Sequence, residues 1–154
     1  MENFHVRMAK PEDEEKIFDL CTQLCEENQL FEMDPDAVRT VIQNCTAAEG
    51  GIIGVIEGDD ELEGIICLAT DHYWYSNRWF LCEIFNFVPP KFRKSTRAKS
   101  LLAFAKKCSD DMKIPYVVGI VSNQKTEPKI KLLERQLPKA GAFFVYNECY
   151  AKVM

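Results

Sequence analysis

At 154 residues, with 47% hydrophobic and 28% charged content, the chain has the length for one domain with a sizeable core and is too apolar for disorder. No apolar run approaches the ~20 residues of a membrane span, and a net charge of −5 argues against nucleic acid, which takes a broad basic surface. The opening Met1-Glu-Asn-Phe-His-Val-Arg7 lacks the apolar stretch of a signal peptide, so a cytoplasmic location is expected.

Phe4 to Met8 alternates enough for a short strand. Pro11 then opens a helix, with Glu12, Asp13, Glu14 and Glu15 matching the positive end of its dipole. Ile17, Leu20, Cys21, Leu24 and Cys25 form one apolar stripe. A second helix starts near Asp34-Pro35 and carries Val38, Val41, Ile42 and Cys45. Gly50-Gly51 ends it. Ile52 to Glu57 and Leu62 to Ala69 read as strands of a hairpin closed by Gly58-Asp59-Asp60-Glu61. Trp79 to Val88 is apolar at nearly every position, as expected of a central strand covered on both faces. Ser95 is placed to cap a helix with the stripe Ala98, Leu101, Leu102, Ala105, Cys108 and Met112. Pro115 precedes a strand over Tyr116 to Val121, a helix follows around Pro128 to Gln136, and a last strand runs from Ala142 to Tyr150. The order is β-α-α-β-β-β-α-β-α-β in a single domain over 1–154. Early antiparallel strands lead into a β-α-β crossover, which requires a mixed sheet with parallel pairing near its middle.

Seven cysteines at 21, 25, 45, 67, 82, 108 and 149 suit neither a disulfide framework nor a metal site. With two histidines in the chain, no zinc ligand spacing is completed and no metal is expected. Cys67, Cys82, Cys108 and Cys149 fall in apolar patterns and read as small core residues.

Positive charge is concentrated in one place. Between Lys91 and Lys107 there are seven Lys or Arg and no acid, so the rest of the chain, with 12 basic and 24 acidic residues, carries −12. The stretch Val88-Pro-Pro-Lys-Phe-Arg93-Lys-Ser-Thr-Arg-Ala98 reads as a strand exit, a Pro-Pro step, a basic turn and a helix start. A helix N-terminus already carries about half a positive charge and unpaired N–H groups, so Lys94 and Arg97 oppose the dipole there. A bound anion would make the arrangement favourable. A solvated basic face is the alternative.

This order, with a basic turn after the fourth strand, resembles the GNAT superfamily of acetyl-CoA-dependent N-acetyltransferases over nearly the whole chain. Val88-Pro-Pro-Lys-Phe-Arg93 is similar to the family's Val-x-Pro-x-Tyr-Arg strand exit. Arg93-Lys-Ser-Thr96-Arg-Ala98 lies over its Arg/Gln-x-x-Gly-x-Gly/Ala pyrophosphate loop, with Thr96 where Gly is usual. That Ser-Thr loop resembles the variants of phage-borne members. Thr96 is β-branched and disfavours positive φ, so its amide must be presented from an ordinary conformation. Leu132-Leu133-Glu134 followed by Gly141-Ala-Phe lies over the family's Leu-Tyr-x-x-x-Gly-Phe. Leu133 stands where many members carry a Tyr that protonates the departing thiolate, so that role is not carried over. Ser122, Tyr116 and Tyr146 are candidates for it without a motif behind them.

The resemblance implies an α/β fold whose fourth and fifth strands splay apart, with acetyl-CoA as cosubstrate. The pantetheine arm would pair with the backbone of Asn86, Phe87 and Val88. The turn Arg93, Lys94, Ser95, Thr96, Arg97, Ala98 and Lys99 would cradle the pyrophosphate, with Lys94, Arg97 or Lys99 reaching the 3′-phosphate. Asn123 falls where the family often has an Asn near the cofactor. The activity implied is direct acetyl transfer to a primary amine of a small molecule or protein.

Glu83 is the outstanding polar residue, set within Phe80-Leu-Cys-Glu-Ile-Phe-Asn-Phe87, where a charge is seldom buried unpaired. The resemblance makes it the general base. Structurally it faces solvent or pairs with a residue such as Arg78. Asn86 reads either as a polar contact near the cofactor or as a satisfied strand amide. The segment Asp71 to Phe80 holds five aromatics from His72 to Phe80, which wall a pocket, form a subunit contact or pack on their own sheet. Phe31, Glu32, Met33 and Asp34 occupy the acceptor-side loop of the resemblance. Two functions stay open: the N-acetyltransferase, and a catalytically degenerate module that binds CoA or a partner protein through hairpin 72–80. A homodimer through that hairpin or the last strand is also compatible with the sequence.

Overall fold

The computed structural model describes residues 3–119, 127–140 and 143–151. Its first strand, β1 (Arg7–Met8), is shorter than the alternation suggests and leads through a 3-10 turn into helix α1 (Glu14–Asn28). Asp13 fastens that junction: its carboxylate accepts from both terminal nitrogens of Arg7 at 2.8 and 3.0 Å and from the Lys10 amide at 2.8 Å. Helix α2 (Pro35–Thr46) starts as the sequence predicts, with the Asp34 side chain accepting from the Asp36 and Ala37 amides.

Strands β2 (Gly51–Glu57), β3 (Leu62–Asp71) and β4 (Phe80–Phe87) form an antiparallel meander. Helix α3 (Arg97–Met112) crosses over to β5 (Tyr116–Val118), then come helix α4 (Glu127–Gln136), the two-residue β6 (Lys139–Ala140) and β7 (Phe143–Tyr146). Among the described residues the sheet runs β1-β2-β3-β4-β5-β7-β6, with β4 parallel to β5 and the other neighbours antiparallel. This is the mixed sheet expected, with its parallel pair inside.

Period-2 alternation sorts the apolar residues to two faces. Ile53, Val55, Ile65 and Cys67 pack with Ile17, Leu20, Cys21, Ile42 and Cys45 of α1 and α2. Ile56, Ile66, Leu68 and Leu81 pack with Leu101, Leu102 and Ala105 of α3, with Leu133 of α4 and with Leu137 just after it. Each fully buried Ile, Leu or Val contributes about 1.5–3 kcal/mol relative to exposure, so the sheet is held by a helical layer on each face. Gly54 lets α3 approach: a Cβ there would lie 2.6 Å from the Phe104 ring.

Several expectations change. Ser95 is not the cap residue of α3; Thr96 is, without a side-chain cap bond. The last strand ends at Tyr146 and a 3-10 turn over Glu148–Ala151 follows, with β6 unanticipated because a two-residue strand leaves no periodic signal. Cys67 is a core residue, but Cys82 and Cys108 are half-buried and Cys149 is exposed, while Cys21 and Cys45 are buried. The proposed end of the fifth strand, with Ser122 and Asn123, lies outside the described residues.

Candidate functional site

Strand β4 changes character halfway along. Cys67 of β3 faces Phe85 and the next residue, Leu68, faces Glu83, so Ile84 is an extra residue, a β-bulge. The extra residue inverts the alternation. Leu81, before it, belongs to the α3/α4 side; Phe85 and Phe87, four and six positions on and so of the same parity, belong to the α1/α2 side. That inversion, rather than burial on both faces at every position, explains why the strand is apolar nearly throughout.

Among the described residues, pairing of β4 with β5 is confined to those before the bulge. Parallel pairing covers Leu81 with Tyr116 and Cys82 with Val117, and among the described residues none follows. From Glu83 to Phe87 the β5-facing edge of β4 therefore has no strand partner among the described residues, in keeping with the splay expected of strands four and five.

Glu83 sits where this pairing ends, with its side chain 4% exposed. Its Oε1 accepts from the Asn86 side-chain amide at 2.7 Å and from the Tyr116 hydroxyl at 3.0 Å. Its Oε2 accepts from Lys129 Nζ at 2.8 Å. Arg78 is not the partner. The phenol of Tyr116 is pushed far above its ordinary range, first by burial and then by the charge and hydrogen bond of Glu83. It therefore stays a donor to the carboxylate. Tyr146 is raised more modestly, by desolvation and by its bond to Asp110. Leu133 is buried in the core, one turn beyond Lys129 on the same face of α4.

Below Glu83 the strand ends at Phe87, and past Val88 the chain enters the basic turn. Pro90–Phe92 makes a 3-10 turn, Arg93 is extended, and Lys94 adopts φ +63°, a left-handed conformation that a non-glycine residue takes at a cost of about 1–2 kcal/mol. Thr96 has φ −90°, the ordinary conformation its β-branch demands. Ser95 Oγ donates to the Phe92 carbonyl and accepts from the Arg97 amide.

The cations of the turn divide into two sets. Arg93 donates to both oxygens of Glu27 and through Nε to the Val88 carbonyl at 2.8 Å. Arg97 binds Glu63 at 2.7 Å and lies over the Phe4 and Phe92 rings, and Lys91 pairs with Glu61. These three fix the turn to α1 and to the β2–β3 hairpin. Lys94 and Lys99 have no ion-pair partner among the described residues. Both lie at the N-terminal end of α3, Lys94 before it and Lys99 in its first turn. Of the residues predicted from sequence, the structure thus brings Glu83 and Asn86 into contact and sets Phe87 and Val88 before the turn Arg93 to Lys99.

Three participants carry no signal of their partners in the sequence. Lys129 lies 46 positions from Glu83 and no local pattern joins them; the one available signal was its i,i+4 spacing to Leu133. Nothing local marks Glu27 and Glu63 either; the fold places them against Arg93 and Arg97. The aromatic segment does not pack on its own sheet: Trp74 is 85% exposed, and Tyr73, Trp74 and Tyr75 contact one another at ring distances of 5.0–6.3 Å. An open cavity of about 430 Å³ lined by Phe4, His5, Arg7 and Glu57 lies at the β1–β2 edge, where Arg7 is already committed to Asp13 and Glu57.

Among the described residues no group of His, Cys, Asp or Glu could hold a metal ion, and no helix is long and apolar enough to cross a membrane. No protein-family model and no curated protein sequence matches the chain. Solved structures do. A protein described as a possible acetyltransferase from Clostridium difficile 630 matches at 19% identity and TM-score 0.72, over 90% of this chain and 93% of that one. The aminoglycoside N-acetyltransferase AAC(6')-Iy, in complex with the bisubstrate analogue CoA-S-monomethyl-acetylneamine, matches at 16% identity and TM-score 0.71, over 90% and 92%. The ribosomal-protein-alanine N-acetyltransferase of Brucella melitensis biovar Abortus 2308 matches at 13% identity and TM-score 0.70, over 90% and 94%.

Proposed function

We propose, from the GNAT acetyltransferase fold that these likenesses establish, that the chain is an acetyl-CoA-dependent N-acetyltransferase acting by direct transfer to a primary amine. The observation that carries the proposal is the Glu83 carboxylate, buried to 4% exposure at the point where the described β4–β5 pairing ends. A carboxylate held there by Tyr116 and Asn86 is positioned to take a proton from an ammonium acceptor.

The residues around Glu83 fit the cosubstrate. The β5-facing edge of β4 at Asn86 and Phe87, and Val88 just beyond it, have no strand partner among the described residues, and the amides from Lys94 to Lys99 lead into the first turn of α3. Lys94 and Lys99 are the side chains assigned to phosphate. Arg93 and Arg97 instead hold the turn in shape through Glu27 and Glu63. Acetyl-CoA supplies an acetyl group already activated as a thioester, so the protein's task is alignment of a neutral amine and proton removal by Glu83.

The test is a thermal-shift titration with acetyl-CoA, CoA and 3′-dephospho-CoA. A ligand at 100 times its dissociation constant adds about 2.7 kcal/mol, which for a domain of this size raises the melting temperature by about 5–11 °C. The expected pattern is a shift that weakens without the 3′-phosphate, followed by thiol release in a panel of primary amines. No shift with any of the three would remove the assignment.

A second reading is favoured by one observation, the exposure of Tyr73, Trp74, Tyr75 and Trp79 on a single loop. In that reading the fold is an interaction module. It requires Glu83→Gln to leave the biological effect intact while Trp74→Ala abolishes it; the opposite pattern refutes it.

A further inference from the structure

The Glu83 carboxylate uses its two oxygens unequally. Oε1 accepts from Asn86 and Tyr116, both rooted in the sheet. Oε2 accepts from Lys129, which reaches it from α4 at the end of a flexible four-carbon stem. The Lys129 side chain is 30% exposed where that of Glu83 is 4%, so Lys129 lies on the solvent side of the pair. A primary ammonium thus already occupies the accessible side of the candidate base. An acceptor entering as an ammonium must come to the same oxygen, because the sheet donors cover the other.

We infer that Oε2 of Glu83 is a primary-ammonium subsite filled in cis by Lys129, and that Lys129 is acetylated by its own chain when no acceptor is present. The inference rests on the acetyl transfer proposed above. It adds a modification site and a substrate class: unbranched primary alkylamines slender enough to retrace the approach of the lysine stem.

The step balances. The Lys129 ammonium passes one proton to Glu83 across the 2.8 Å hydrogen bond, leaving a neutral amine. The nitrogen lone pair forms the C–N bond at the thioester carbonyl, the C–S bond breaks, and its electron pair leaves on sulfur. The second proton shed by nitrogen ends on the thiol. The first leaves Glu83 for water, which restores the carboxylate.

The full chain is incubated with acetyl-CoA and no amine, then digested, and mass spectrometry follows acetyl addition at each lysine. Lys129 is expected to be modified first, at a rate independent of protein concentration and at least about tenfold ahead of Lys99 and Lys107, since a held amine outpaces a diffusing one. Glu83→Gln should slow Lys129 alone by about 100-fold. Lys129→Arg keeps the cation, should melt with the wild type, and should take no acetyl at that position. A cofactor-free arm tests the subsite by itself: n-propylammonium, which replaces the atoms lost in Lys129→Ala, should raise the melting temperature of that variant. It should not do so in Lys129→Ala/Glu83→Gln, and tetramethylammonium should have no effect on either. Acetyl spread evenly over exposed lysines, in a chain whose melting temperature rises with CoA, overturns self-acetylation and leaves the proposed function standing. No response to CoA or acetyl-CoA overturns the function as well. Failure of n-propylammonium to stabilise Lys129→Ala overturns the subsite.

Discussion

Tyr116→Phe removes one oxygen from a fully buried ring and leaves its packing in place, which isolates the hydroxyl's bond to Glu83. That bond is 3.0 Å long, its acceptor is a carboxylate, and the phenol has no exposure to water that could replace it. Hydrogen bonds to charged groups contribute about 1.5–3 kcal/mol. Asn86 and Lys129 still serve the carboxylate in the variant, so the lower half of that range, about 2 kcal/mol, is expected. At about 2–4 °C per kcal/mol for a domain of this size, the melting temperature should fall by about 4–8 °C. Urea unfolding of the wild type, Tyr116→Phe, Glu83→Gln and the double variant closes a thermodynamic cycle. A coupling of at least about 1 kcal/mol is expected, because each single change breaks the same contact. Additive losses would mean that the hydroxyl and the carboxylate do not meet, and the assignment of Glu83 to the end of the β4–β5 pairing would fall with them.

Asp13 is held below the usual carboxylate range by its hydrogen bonds from Arg7, so its stabilisation is full above about pH 4 and is lost as pH falls through its lowered value. The gap in melting temperature between wild type and Asp13→Asn should therefore be widest near neutrality and close in acid; a gap constant down to about pH 2 would refute the pairing. Lys94→Gly should act in opposite directions on two observables. It relieves the φ of +63° and stabilises the fold by about 0.5–1 kcal/mol, yet weakens CoA binding and flattens its salt dependence; destabilisation would show that the left-handed turn is not formed. Gly54→Ala, whose Cβ would press on Phe104 and Val6, should cost about 1–3 kcal/mol in urea unfolding, and a neutral result would mean that α3 does not approach β2 this closely. Burial pushes the Cys21 thiol up to about 12, so iodoacetamide near pH 8 should alkylate the exposed Cys149 and spare Cys21 until the protein unfolds.

Much of the architecture is legible in short stretches of the chain. The stripe from Ile17 to Cys25, the Asp34-Pro35 cap, the turn Gly58 to Glu61 and the stripe from Ala98 to Ala105 each specify a local element through periodicity or turn chemistry. The basic turn was equally visible, since charge segregation is a property of sequence. Boundaries were less so: β1 and β7 are shorter than their alternation, because pairing partners rather than propensity decide where a strand stops.

The order of the elements other than β6, their apolar stripes and the place where positive charge collects are written in the chain itself, since all follow from interactions within a few residues. Glu83 stands out there too, because an acid in an apolar strand is conspicuous. The bulge at Ile84, which depends on register against β3, and the end of described β4–β5 pairing before it emerge only in the folded chain. Tertiary structure decided too that Arg93 and Arg97 brace the turn while Lys94 and Lys99 face outward, and that Lys129 and Tyr116 meet at Glu83. Contacts across 33 to 66 positions, such as Tyr116 with Glu83 and Arg93 with Glu27, leave no periodic trace in a sequence, because they exist only once the sheet and its two helical layers have brought distant segments together.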